Sequence, residues 1–219
     1  MSRIWILGDS WGTLEGMHKS ISSTQMHLHQ YLEQAGHTVT NFSVPGASNG
    51  ESISRAIDAI DSTPSPDYMI WFHTESLRER IHGLLDRPYG IMELTRQQAL
   101  QNYLYWKELI DRTQARDIII GGQAPVIVDL LQHQPYHVIE DWRCELLRIP
   151  SIMTHSVCHR DLFEHPNCRD DYKIRMDMLA QNEMIVDMAR DSKLFPDNAH
   201  PGTVAHKALF KRIQPLIHK

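Results

Sequence analysis

Arg3-Ile4-Trp5-Ile6-Leu7-Gly8-Asp9-Ser10-Trp11-Gly12 is the stretch that decides the fold. Residues 4–7 are apolar at every position, so the segment has no polar face to turn to water. A strand of this kind belongs inside a parallel sheet covered on both sides by helices. Gly8-Asp9-Ser10 ends the run abruptly. Flanking glycines make a sharp strand-to-helix turn sterically possible and would present the Ser10 hydroxyl at its apex. A serine so placed becomes a nucleophile once a base takes its proton. Its structural alternative is to cap the helix that follows.

Outward from this strand the chain alternates. Residues 25–35 read as a helix, with Gly36 where a left-handed C-terminal residue belongs. Residues 38–44 are a second strand, rich in β-branched and aromatic side chains. Pro45-Gly46-Ala47-Ser48-Asn49-Gly50 is a turn-rich loop, and a helix is expected over 51–62. Residues 67–73 form a third strand, 95–113 a long helix and 117–121 a fourth strand. Between 123 and 170 the period is ambiguous; a fifth strand is expected there without a definite place. Residues 171–194 read as a long helix, whose Met176, Leu179, Ile185 and Met188 stripe is core packing. A final helix spans 203–217. This order predicts an α/β domain covering 1–219, with a mostly parallel sheet and helices on both faces. In such sheets, sites form at the carboxyl ends of the strands.

Composition narrows the function classes. A chain of 219 residues, 42% apolar and 22% charged, can bury a full core without staples. No apolar run approaches the roughly 20 residues that span a bilayer. The apolar N-terminal stretch is too short for a signal-peptide core, so the expectation is a cytoplasmic protein, or a virion part assembled inside a cell. Three cysteines argue against a disulfide scaffold. A net charge of −5, with no basic stripe carrying interleaved aromatics, disfavours a nucleic-acid partner.

The chemistry gathers around two motifs. One is Ser10 at the first strand end. The other is Asp197-Asn198-Ala199-His200-Pro201-Gly202. A carboxylate three residues before a histidine can hold the ring's Nδ1 proton and leave Nε2 facing a serine. Gly8-x-Ser10-x-Gly12 also fits the nucleophile elbow of α/β-hydrolases, but that elbow lies mid-chain after several strands. Here one strand precedes the serine, and the acid and base share one loop.

These residues resemble the SGNH hydrolases, also called GDSL esterases and lipases. Gly8-Asp9-Ser10 is similar to the first family block, Val44-Pro45-Gly46-Ala47-Ser48 to the second, and Asp197-x-x-His200, followed by Pro201, to the fifth. The matched blocks span nearly the whole chain in family order. The resemblance implies a flavodoxin-like three-layer αβα sandwich and hydrolysis of an ester, often an acyl or acetyl group on a lipid, sugar or small molecule. It implies Ser10 as nucleophile, His200 as base and Asp197 as its acid partner, with no cofactor. The backbone N–H groups of Ser10 and Gly46 would meet the oxyanion. The third block departs from the family. Its asparagine, a third oxyanion donor, is replaced at the end of the third strand by Thr74 in Phe72-His73-Thr74-Glu75. Thr74, or Asn49 from the preceding loop, is then the candidate third donor. Losing one such donor typically costs about 3 kcal/mol of transition-state stabilisation.

That departure motivates a second reading: a weak or inactive module on a retained hydrolase fold, such as a virion or carbohydrate-binding component. A nucleotide binder is disfavoured, because the first loop lacks the small hydroxyl residues a phosphate site would use. His155, Cys158, His165 and Cys168 have spacings that suit a structural zinc ion, against the simpler reading of a histidine-rich surface loop. Arg78 and Arg80, beyond the third strand, are either a solvated face or substrate contacts.

Overall fold

Ile4, Trp5, Ile6 and Leu7 are all buried, because the strand they form lies between two layers of helices. The structure is a computed structural model. It describes residues 1–12, 26–74, 91–122, 124–148, 194–195 and 200–217, with residues 91–95 described by backbone only. The strands are β1 (Arg3–Leu7), β2 (Thr38–Asn41), β3 (Tyr68–His73), β4 (Arg116–Gly121) and β5 (His137–Ile139). The helices are α1 (Leu28–Gln34), α2 (Asn49–Ala59), α3 (Ile91–Thr113), α4 (Trp142–Leu147) and α5 (Thr203–Ile217).

All four strand pairs are parallel, in the order β2-β1-β3-β4-β5. The chain leaves β1 toward β2 on one side, then crosses back to β3 on the other. Successive connections therefore depart on opposite faces at β1 and β3. Such a switch point opens a crevice at the carboxyl ends of the two strands. Ile4 pairs with Tyr68 and Leu7 with Trp71, which brings the residues after Leu7 level with the end of β3.

Alternation along the strands sorts two cores. Ile4, Ile6, Ile70, Phe72, Ile118 and Ile120 face α1, α4 and α5, where Leu28, Leu32, Trp142, Leu209 and Ile213 meet them. Trp5, Leu7, Met69, Trp71 and Ile119 face α2 and α3 through Ile53, Ala56, Tyr103, Trp106 and Leu109. Trp71 stacks on Trp106 with centroids 4.9 Å apart. A ring pair of this kind contributes roughly 0.5–1.5 kcal/mol beyond its burial. The result is the three-layer αβα arrangement with an all-parallel sheet. Among the described residues, no helix is long and apolar enough to cross a membrane.

Boundaries differ from the expectations at several elements. α2 starts at Asn49 rather than 51, because the Ser48 hydroxyl accepts the Glu51 N–H at 3.1 Å and sets the first turn. β2 ends at Asn41, although Phe42 N–H still donates to the Ile6 carbonyl and Val44 N–H to that of Gly8. α3 begins at Ile91, four residues upstream of the expected start, through Ile91-Met92-Glu93-Leu94. The fifth strand is the three-residue β5, and α4 follows it, capped by the Asp141 carboxylate. The helix expected over 171–194 lies outside the described residues apart from Leu194.

Candidate active site

Ser10 sits in a turn that its neighbours define. Gly12 N–H donates to the Asp9 carbonyl at 3.0 Å, closing a turn with Ser10 and Trp11 at its centre. The Asp9 side chain accepts the Trp11 N–H at 2.9 Å. The turn can start so abruptly because of Gly8, whose φ is +146°. A Cβ at Gly8 would lie 2.7 Å from Cβ of Phe72 in β3, closer than side-chain carbons approach. Glycine is therefore required by conformation and by the close approach of two backbones. Gly46, the second loop glycine, has φ +74° in a turn closed by Ala47 N–H donating to the Val44 carbonyl.

His200 reaches Ser10 from the other end of the chain: its Nε2 is 2.9 Å from Ser10 Oγ. Three features fix the histidine's loop. Phe195 is buried against Trp11, with ring centroids 5.9 Å apart. Gly202 N–H donates to the Leu194 carbonyl at 2.7 Å. α5 then begins at Thr203, whose hydroxyl accepts Met26 N–H at 3.0 Å. Ser10 is nearly buried and His200 half-buried.

Thr74 and Asn49 lie at the same edge and are both engaged. Thr74 Oγ1 donates to the Asp9 carboxylate at 2.9 Å. Asn49 grips the Thr74 backbone from both sides: its Oδ1 accepts Thr74 N–H and its Nδ2 donates to the Thr74 carbonyl, each at 2.9 Å. A hydroxyl has one proton to donate, whereas a carboxamide has two. Thr74 thus directs its hydroxyl at Asp9 in this structure. Asn49 spends its oxygen and one N–H on Thr74.

Asp197, the zinc candidates His155, Cys158, His165 and Cys168, and Arg78 and Arg80 lie outside the described residues. Further buried titratable groups lie behind the site. Asp9 is a buried carboxylate in the turn, which the Gly-Asp-Ser motif presents only as one member of a block. His27 and His206 are both fully buried, with ring centroids 4.4 Å apart. Burial first, then the nearby His29 and His200, pushes the His27 pKa down to about 4. Burial, with His27 and His29 adding to it, holds His206 well below the usual histidine range. His73, fully buried at the end of β3, is also pushed down to about 4 by burial, opposed by the Ala124 carbonyl 3.4 Å from its Nδ1. At neutral pH these rings pack as uncharged, apolar-faced groups.

The sequence matches no protein-family model and no curated protein. Solved structures similar to it over most of its length are matched at low identity. They include TesA, at 13% identity over 97% of this chain and 96% of that one, with a TM-score of 0.47. The esterase EstA from Pseudoalteromonas sp., in a structure inhibited by monoethylphosphonate, is 13% identical over 99% and 96% of the two chains, with a TM-score of 0.45. AlinE4, an SGNH-hydrolase family esterase, is 16% identical over 87% and 97%, with a TM-score of 0.37. The described residues themselves form a five-stranded, all-parallel sheet with flanking helices. At such identities and scores the likeness carries no chemistry, which rests on the residues themselves.

Proposed function

We propose that the chain is a serine hydrolase that cleaves an ester through an acyl-enzyme formed on Ser10. The observation that carries this reading is the 2.9 Å approach of His200 Nε2 to Ser10 Oγ, at the carboxyl end of β1 beside the switch point. Neutral His200, protonated on Nδ1, accepts the Ser10 proton at Nε2 as Oγ attacks the acyl carbon. Asp197, three positions before His200, holds the Nδ1 proton and stabilises the imidazolium. The backbone N–H groups of Ser10 and Gly46 meet the oxyanion. Of the two side-chain candidates, Asn49 retains a second amide hydrogen for that role, since the Thr74 proton is committed to Asp9. The imidazolium then protonates the leaving alcohol. Water enters, gives its proton to His200 and releases the acid. The substrate class is an acyl or acetyl ester of a lipid, sugar or small molecule. Folded wild-type protein is expected to turn over a short-chain aryl ester between about pH 6 and 9. No turnover of acetyl, butyryl or octanoyl esters across that range would contradict the reading.

A further inference from the structure

Three separate loops supply the proposed chemistry: the turn after β1, the Gly46 loop before α2, and the end of β3. The backbone ties the first two in part, through Val44 N–H donating to the Gly8 carbonyl at 3.1 Å. Side chains join all three. The buried Asp9 carboxylate accepts the Trp11 N–H on Oδ1 and the Thr74 hydroxyl on Oδ2, both at 2.9 Å. One oxygen shapes the Ser10 turn and the other fastens that turn to the end of β3. Thr74 is in turn held by the Asn49 amide, which takes both its N–H and its carbonyl. Asn49 opens α2, three residues after Gly46 and directly after the Ser48 cap. The chain of bonds therefore runs from the Ser10 turn to β3 to the Gly46 loop, through side chains that are all about 1% exposed.

We propose that Asp9 and Thr74 are positioning residues of the reaction. The bond from Thr74 to Asp9 sets the Ser10 turn relative to the Gly46 loop, and so sets the distance from the Gly46 N–H to the serine oxygen. This inference rests on the hydrolase reading and goes beyond it. It assigns to Thr74, which stands where the family pattern calls for a donor, a different part in the chemistry. Its hydroxyl donates to the carboxylate of Asp9, so it acts on the transition state through where Ser10 sits.

The expected signature is a loss in kcat with little change in KM, because misplacing reacting groups by about 1 Å costs on the order of 100-fold in rate while leaving substrate contacts intact. The experiment compares wild type, Thr74→Ser and Thr74→Val in steady-state hydrolysis of a short-chain aryl ester and in the rate of labelling by a fluorophosphonate. Thr74→Ser keeps the hydroxyl and is expected to stay within about threefold of wild type in both readouts. Thr74→Val keeps the shape and loses the hydroxyl; it is expected to lose about 10- to 100-fold in kcat and in labelling rate, with KM within about threefold. Asp9→Asn, which keeps an acceptor for Trp11 and removes the charge that fixes the Thr74 proton, gives the same signature should Thr74→Val fold poorly. Thr74→Val or a folded Asp9→Asn within about threefold of wild-type kcat would overturn the inference. So would Thr74→Ser as damaged as Thr74→Val. A wild type that neither turns over esters nor takes the label overturns the hydrolase reading itself, and the inference with it.

Discussion

Ser10→Ala and His200→Ala are each expected to lower ester turnover by about 10⁴-fold or more, and the double variant to lose little beyond either single one. The reason lies in the 2.9 Å contact between Oγ and Nε2. A serine hydroxyl attacks an acyl carbon only as its proton leaves, and His200 is the group within hydrogen-bond reach of that oxygen among the described residues. Without the ring, Ser10 must lose its proton to solvent; without Ser10, the ring has no nucleophile to activate. The two act as a unit, so their losses do not add. Both side chains lie at the site's edge of the sheet rather than in the paired cores, so both variants should fold. Steady-state kinetics of the two singles and the double tests this. His200→Ala keeping more than about a tenth of wild-type turnover, in folded protein, would remove His200 from the mechanism.

The second large effect is on stability in mild acid. His27 and His73 are fully buried, and their pKa values fall from 6.5 to about 4 on folding, chiefly because burial penalises the charged ring. Between these values the unfolded chain binds protons that the folded chain does not, so stability rises with pH across the window and is lost as pH falls through it. At pH 5 each ring gives up about 2 kcal/mol relative to pH 7, about 4 kcal/mol for the pair. His206, shifted in the same direction against His27, adds to the loss. The groups facing this cluster are His29, His200 and the aromatic rings of Trp142 and Phe72. A loss of this size is a large share of the 5–15 kcal/mol by which domains are stable. Denaturant titrations at pH 7 and pH 5 measure it directly. His27→Gln should remove about half of the dependence contributed by the pair. A denaturation midpoint that stays level or rises from pH 7 to pH 5 would contradict the account of these rings.

What could be read from the sequence divides along physical lines. β1 and β3 were legible because burial on both faces leaves an unbroken apolar run in each. β5 was not: His137-Val138-Ile139 is too short to display a period, and the apolar residues after it go into α4 instead. The Ser10–His200 contact joins residues 190 positions apart, yet the two motifs that carry them mark both as candidates by residue type and local spacing. Thr74 shows the opposite case. Its hydroxyl marks it in the sequence as a candidate donor; the bond to Asp9, 65 residues away, is visible only in the packed structure. The His27–His206 stack is of the same kind, since neither ring lies in a motif and their contact is made by α1 against α5. Local patterns declare single groups; the pairing of buried polar groups is a property of the assembled core.

The central claim is that Ser10 is an activated nucleophile, and covalent capture tests it most directly. Folded wild-type protein is treated with a fluorophosphonate at pH 7 to 8, its intact mass is measured, and the modified peptide is mapped. One adduct per chain, located on Ser10 and lost in both Ser10→Ala and His200→Ala, is the predicted result. An unmodified chain, or an adduct on another residue that persists in Ser10→Ala, would contradict the claim.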